Sequence, residues 1–199
     1  METKTCILAA ASELISKAGI KSISIDDICR QIGISKKTFY VHFETKDSLV
    51  EALLKRKLER EKVEIEQRLA GKSTKQMMLG VLQIVQQTQD VRKTPHILYD
   101  LEKYYPQIYH AHLIDIRNAT FHFLEKYLQQ GKDEGFFRHD LDIEKTCRIL
   151  SFMHHQLMES MTQVAEDKQK FVFNDIKYGL DIFMRGTLSK QSLEELKLN

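Results

Sequence analysis

The stretch Ser24–Leu49, SIDDICRQIGISKKTFYVHFETKDSL, restricts what this chain can fold into more than any other. Ser24 stands three residues before Asp27, a spacing at which a hydroxyl caps free backbone N–H groups. Asp26 and Asp27 favour the positive end of a helix dipole. Ile25, Ile28 and Ile32 then recur three and four residues apart, which lines one apolar face of a short helix. Gly33 sits where that helix must stop, because it takes the left-handed backbone that other residues resist. Ser35 can cap a second helix, on which Phe39 faces inward. Two short helices joined by a tight glycine turn make a helix-turn-helix.

The second helix carries an unusual inventory. Lys36, Lys37, Thr38, Tyr40 and His42 place cations, a hydroxyl, a phenol and an imidazole on about two turns. Cations and hydroxyls suit phosphate, and long donors reach base edges in the major groove. Any two of these residues would fit an ordinary solvated helix face; the whole string fits it poorly. Gly33-Ile34-Ser35-Lys36-Lys37-Thr38-Phe39-Tyr40-Val41-His42-Phe43, followed by Lys46-Asp47-Ser48-Leu49, resembles the DNA-binding signature of the TetR family of bacterial transcriptional regulators. Ala18-Gly19-Ile20 resembles the family's turn after the first helix, and the similarity spans roughly residues 4–60. The position before Thr38 is often Gly or Pro in that family and is Lys37 here, which points to an altered base preference. The resemblance implies that Tyr40 and His42 contact phosphate, and that Lys46 anchors another at the start of the fourth helix. Ser24, Ser35, Lys36, Lys37, Thr38, Tyr40, His42 and Lys46 are therefore the expected DNA-binding set.

Composition agrees with a helical protein. The 199 residues include only 2 prolines and 8 glycines and no tryptophan, and Leu, Ile, Lys, Glu and Gln are abundant. The net charge is +2, so the body of the protein is not strongly basic. Positive charge is local instead: from Ser35 to Lys46 three lysines face only Glu44. Cys6, Cys29 and Cys147 are far apart and show no metal-ligand spacing, so they read as buried, reduced thiols. No apolar run reaches membrane-spanning length and no signal-peptide core opens the chain, which favours the cytoplasm and no membrane partner.

Taken in order, residues 3–18 form a first helix with Ile7, Leu8, Ala11, Leu14 and Ile15 on one stripe. After the helix-turn-helix, Lys46-Asp47 opens a long fourth helix that buries Leu49, Leu53, Leu54 and Leu58. It becomes a mixed-charge run with Glu51/Lys55, Lys57/Glu61 and Glu64/Arg68 spaced i,i+4. Ala70-Gly71-Lys72-Ser73 reads as a break. Helices five to seven start at Thr74, Pro95 and Pro106, and Phe136–Asp140 connects to an eighth. The expected fold is all-α with about nine helices. It comprises a three-helix DNA-binding head (residues 1–50), a connecting long helix (51–70) and a larger helical ligand-binding and dimerisation domain (71–199).

The last two long helices carry broad apolar stripes. Ile143, Cys147, Leu150, His154, Leu157, Met161 and Val164 alternate four and three residues apart, flanked by Ile149, Met153 and Met158. Phe171, Val172, Ile176, Leu180, Phe183 and Met184 make a second broad face. Both stripes could be core of one chain, but together they offer a surface to a second copy. In the TetR family the last pair of long helices builds a dimeric four-helix bundle, so the resemblance implies a homodimer. Leu150, His154, Leu157, Met161, Ile176, Leu180 and Phe183 are the expected interface.

No catalytic chemistry stands out. There is no nucleophile–base signature and no Gly-rich phosphate loop. His110/His112 and His154/His155 have the wrong helical spacing for chelation, so no metal or cofactor is expected and the protein does not read as an enzyme. Met78, Tyr99, Tyr104, Phe121, Met153 and Met158 could line a cavity with polar tips, in the region where the family places its inducer pocket. Each also fits plain core. The expectation is a ligand-responsive regulator, a repressor that binds double-stranded DNA as a homodimer and answers to an unknown small-molecule inducer. The rival from another class is a helical dimeric interaction protein with a degenerate head.

Overall fold

The computed structural model describes residues 2–87, 95–163 and 166–196. Among these, no side chain is described at 81, 82, 84–87, 95, 96, 98, 157–163, 166–174, 176 and 177. The described residues form ten helices and no strand: α1 (Thr3–Ala18), α2 (Ile25–Ile32), α3 (Lys36–His42), α4 (Lys46–Leu69), α5 (Thr74–Gln87), α6 (Pro95–Tyr104), α7 (Pro106–Asp133), α8 (Ile143–Gln163), α9 (Glu166–Thr187) and α10 (Lys190–Glu195). The all-α fold expected from the sequence is the fold observed. α10 adds one helix to the expected number. Its start is set by Ser189, whose hydroxyl accepts from the Ser192 N–H.

The chain divides into two compact units, residues 1–64 with 93–114, and residues 65–92 with 115–199. In the first unit, α1, α2, α3 and the start of α4 close around Ile7, Leu8, Ala11, Ile28, Phe39, Phe43 and Leu49. The caps that hold these helices come from the residues the sequence nominates. Ser24 accepts from the Asp27 N–H at 3.1 Å while the Asp27 carboxylate accepts from the Ser24 N–H at 2.9 Å, a complete capping box. The Ser24 hydroxyl also donates to the Asp27 carboxylate at 2.6 Å, and this bond, with that from the Ser24 N–H, holds the Asp27 carboxyl below the usual range. Gly33 ends α2 at φ 68°, in the left-handed region. α4 opens on a second reciprocal cap that links Thr45 and Ser48. In the same unit the Lys21 ammonium donates to the Tyr104 hydroxyl on α6 at 3.1 Å and sits over its ring. Leu101, Tyr109 and Leu113 are buried there.

The second unit gathers Met78, Leu128, Phe136, Phe137, Leu141, Cys147, Met184 and Leu188 into one core. Tyr127, Phe136 and Phe183 surround the Phe137 ring edge-on. The connector after α7 pairs with the end of α9: the Arg138 N–H donates to the Thr187 carbonyl and the Ser189 N–H to that of Phe136. Burial pushes the Cys147 thiol up to about 11.

Gly131 on α7 marks the tightest packing in this unit. A Cβ there would overlap the Phe137 ring and approach the Thr74 methyl to 2.8 Å. Gly131→Ala is expected to destabilise this unit by about 1–3 kcal/mol, the typical cost of overpacking. Urea unfolding should record that loss, whereas Ala at exposed Gly186, which meets nothing within 4 Å, should cost nothing.

Candidate nucleic-acid interface

α3 is anchored through one residue. Phe39 is fully buried, T-shaped to Tyr40 at 5.6 Å and beside Phe43 at 5.8 Å. With 3.6 residues per turn, Lys37 and Val41 lie about 160° from Phe39, Thr38 and Tyr40 about 100°, and Lys36 and His42 about 60°. The outward line of the helix is therefore Lys37 and Val41, flanked by Tyr40 on one side and Thr38 on the other. Exposure agrees: Val41 is 75% exposed, and Lys37 and Tyr40 are exposed.

The other expected contact residues are partly engaged within the head. Ser24 and Ser35 are exposed and serve as caps; Ser35 accepts from the Thr38 N–H at 3.1 Å, and the two hydroxyls lie 2.9 Å apart. Lys36 reaches back to Asp26 on α2 at 2.8 Å, and that bond holds its ammonium pKa above the usual lysine value. An exposed ion pair is weak in water, so a phosphate can replace the Asp26 carboxylate. His42 is half-buried at the end of α3. Lys46, at the first position of α4, donates to the Ile20 carbonyl at 2.6 Å. Partial burial pushes its ammonium pKa down, against the pull of Asp47 and Asp100.

Lys37, Thr38, Tyr40 and the cap of α3 are thus brought to one surface. Val41 shares that surface and is absent from the set expected on sequence grounds. Its helical angle from Phe39 is a usable signal, but a search for polar contact residues passes over an aliphatic side chain.

The residues considered for a small-molecule cavity do not form one cluster within either unit. Tyr99 and Tyr104, in the first unit, are exposed, with Lys103 over both rings. In the second unit Met78 is core, Phe121 packs on that core and Met153 is exposed. The Met158 side chain lies outside the described ones. Of the expected interface residues, Leu150 and Phe183 are half-buried against the core, Leu180 is half-buried, and the His154 imidazole lies 3.3 Å from the Thr120 hydroxyl. Burial, with His155 nearby, pushes the His154 pKa down. The side chains of Leu157, Met161 and Ile176 lie outside the described ones. Among the described residues, the apolar side chains that α8 and α9 leave exposed are Ile149, Phe152, Met153, Tyr178 and Ile182, with Phe152 61% and Tyr178 69% exposed.

Among the described residues no three His, Cys, Asp or Glu side chains come together as a metal site, and no helix is long and apolar enough to cross a membrane.

Residues 7–53 match the family described as bacterial regulatory proteins, tetR family. The HTH-type transcriptional regulator YvdT of Bacillus subtilis is 36% identical over 76 residues, 38% of this chain and 39% of its own length. UidR of Escherichia coli K12, another HTH-type transcriptional regulator, is 41% identical over 58 residues, 29% of this chain and 30% of its own. The matched parts therefore span well under half of these relatives. Fold similarity extends further. E. coli NemR in its reduced form superposes with a TM-score of 0.64 over 95% of this chain and 98% of NemR, at 13% identity. A TetR-family transcriptional regulator from Pectobacterium atrosepticum does so with a TM-score of 0.64 over 94% of this chain and 95% of its own, at 16% identity. Residues 7–53 thus carry the signature of the tetR family of bacterial regulatory proteins, and the helical fold shared with these structures continues beyond that head.

Proposed function

We propose that this protein is a DNA-binding transcriptional regulator, a repressor that reads a pseudo-palindromic operator as a homodimer and releases it when a small-molecule inducer binds. The observation that carries the DNA-reading part is the outward face of α3, where Lys37, Tyr40 and Thr38 surround a line opposite the buried Phe39. Two such heads would enter successive major grooves about one helical turn apart. Lys37 is the candidate base reader, since a long donor at the N-terminal turn of a recognition helix reaches a guanine edge. Tyr40, His42 and Lys36 are the candidate phosphate contacts. Repression and the inducer rest on resemblance to the family alone; a coupling of about 1–3 kcal/mol between inducer and operator would change occupancy about 5–150-fold.

A second copy is the occupant we assign to the exposed face of α8 and α9. Ile149, Phe152 and Met153 fall on one side of α8, and Tyr178 and Ile182 on one side of α9. A Cβ added at Gly179 would meet the Met153 side chain at 3.5 Å, so the two stripes adjoin and form one apolar surface. Contiguous exposed apolar surface on a folded unit marks an interaction site, and a self-complementary face closes a two-fold dimer. The interface then lies on the same two helices as expected, with its centre rotated away from Leu150 and Phe183.

Three measurements test these assignments. Selection of duplexes from a random pool by the wild type and Lys37→Gly should yield related half-sites, with preference relaxed at one position in the variant. The same motif from both would make Lys37 a phosphate anchor, and no enriched motif would favour an interaction protein whose head does not read DNA. Lys46→Met removes the bond to Ile20, so the head should lose about 1–2 kcal/mol of stability even without DNA. An ammonium has two further donors, so the same variant should lower the salt slope of DNA binding by about one. Phe152→Glu should convert the dimer to monomer in sedimentation while the monomer keeps its helical circular dichroism, because Phe152 is exposed on its own chain and its replacement there usually costs no more than about 0.5 kcal/mol. A stable dimer of the Phe152→Glu variant would move the interface elsewhere.

A further inference from the structure

We propose that Val41 is a specificity-determining residue that reads the C5-methyl group of a thymine in each half-site. At 75% exposure it is the most exposed of the large hydrophobic residues on α3, and it shares with Lys37 the line that points directly away from Phe39. Nothing in the head's own packing asks for a branched aliphatic residue there. It contributes to no core cluster, and a β-branched side chain is a slightly poorer helix former than most polar residues. Its chemistry narrows what it can do at a DNA surface. Val41 has no donor or acceptor beyond the backbone, so it can neither bond a phosphate nor bond a base edge. On the major-groove edges of the four base pairs the apolar group is the thymine methyl. An aliphatic residue at the centre of a reading face therefore discriminates thymine from the other three bases by contact and by exclusion of water.

The position of that thymine follows from the helix. Residues i and i+4 have Cβ atoms about 5–6 Å apart, and base pairs stack about 3.4 Å apart along each strand. The thymine met by Val41 lies within about two base pairs of the base that Lys37 reaches. The half-site is thus a short element in which a guanine contact and a thymine contact are near neighbours.

The thymine contact presupposes that the head reads DNA at all, and the test keeps the two questions apart. Duplexes enriched from a random pool by the wild-type protein are resynthesised with each thymidine replaced in turn by deoxyuridine. That exchange deletes the methyl group and keeps every hydrogen-bonding atom. At fixed salt, wild-type affinity should fall about fourfold at one thymine per half-site, the value of burying one methyl-sized group. Val41→Ala should bind the parent duplex about fourfold more weakly and show no further loss with deoxyuridine at that position, while keeping its preferences elsewhere. The deoxyuridine arm needs no variant, and Val41→Ala removes only exposed atoms, so its melting temperature should match the wild type. If the wild type tolerates deoxyuridine at every position, or if Val41→Ala retains the same penalty, the assignment of Val41 is overturned while DNA reading stands. If the wild type enriches no sequence, both fall together.

Discussion

The burial of Phe39 among Ile7, Ile28, Phe43 and Leu49 sets the rotation of α3 about its axis, and with it the identity of every side chain that faces away from the head. Truncating a buried phenylalanine costs about 3–5 kcal/mol. The ion pair between Lys36 and Asp26 also joins α3 to α2, but it is exposed and therefore weak beside that burial. Packing therefore decides the orientation, and the polar contacts adjust to it. The caps act one level below. Ser24 with Asp27, Ser35 with Thr38, and Thr45 with Ser48 fix where α2, α3 and α4 begin. Helices as short as α2 and α3 would be marginal without that help.

The head is legible in the sequence because its determinants are local. A capping pair three residues apart, a glycine at the end of α2 and an isoleucine stripe all sit within a few residues of the structure they specify. What is not legible depends on residues distant in sequence. Lys46 reads as a free cation, yet its ammonium meets a carbonyl 26 residues earlier, at Ile20. Ser189 opens α10 with a cap like the others, but a six-residue helix carries too little periodicity to announce itself.

The long helices show a different limit. Periodicity along α8 reveals a broad apolar surface but not how it is shared. Cys147 and Ser151 turn out to be buried and Leu150 half-buried, whereas Ile149, Phe152 and Met153 stand exposed. Adjacent positions on an apolar helix lie about 100° apart, so the boundary between core and free surface depends on which neighbour arrives first. Phe137, Tyr127 and Phe183 settle that from other parts of the unit. No pattern within α8 itself encodes their arrival.

The exposure of Lys37 and Val41 has a consequence for how this head can change. Neither side chain is part of the core that folds the head, and neither provides a helix cap. Substitution at these two sites is therefore nearly free of thermodynamic penalty, whereas Phe39 and Ser35 between and before them are constrained. The same seven-residue helix thus holds two sets of positions under different physical constraint. On the proposed reading of the outward pair, target sequence can change while the architecture stays fixed, and a laboratory library confined to those two codons would sample new addresses on DNA without first having to rescue the fold.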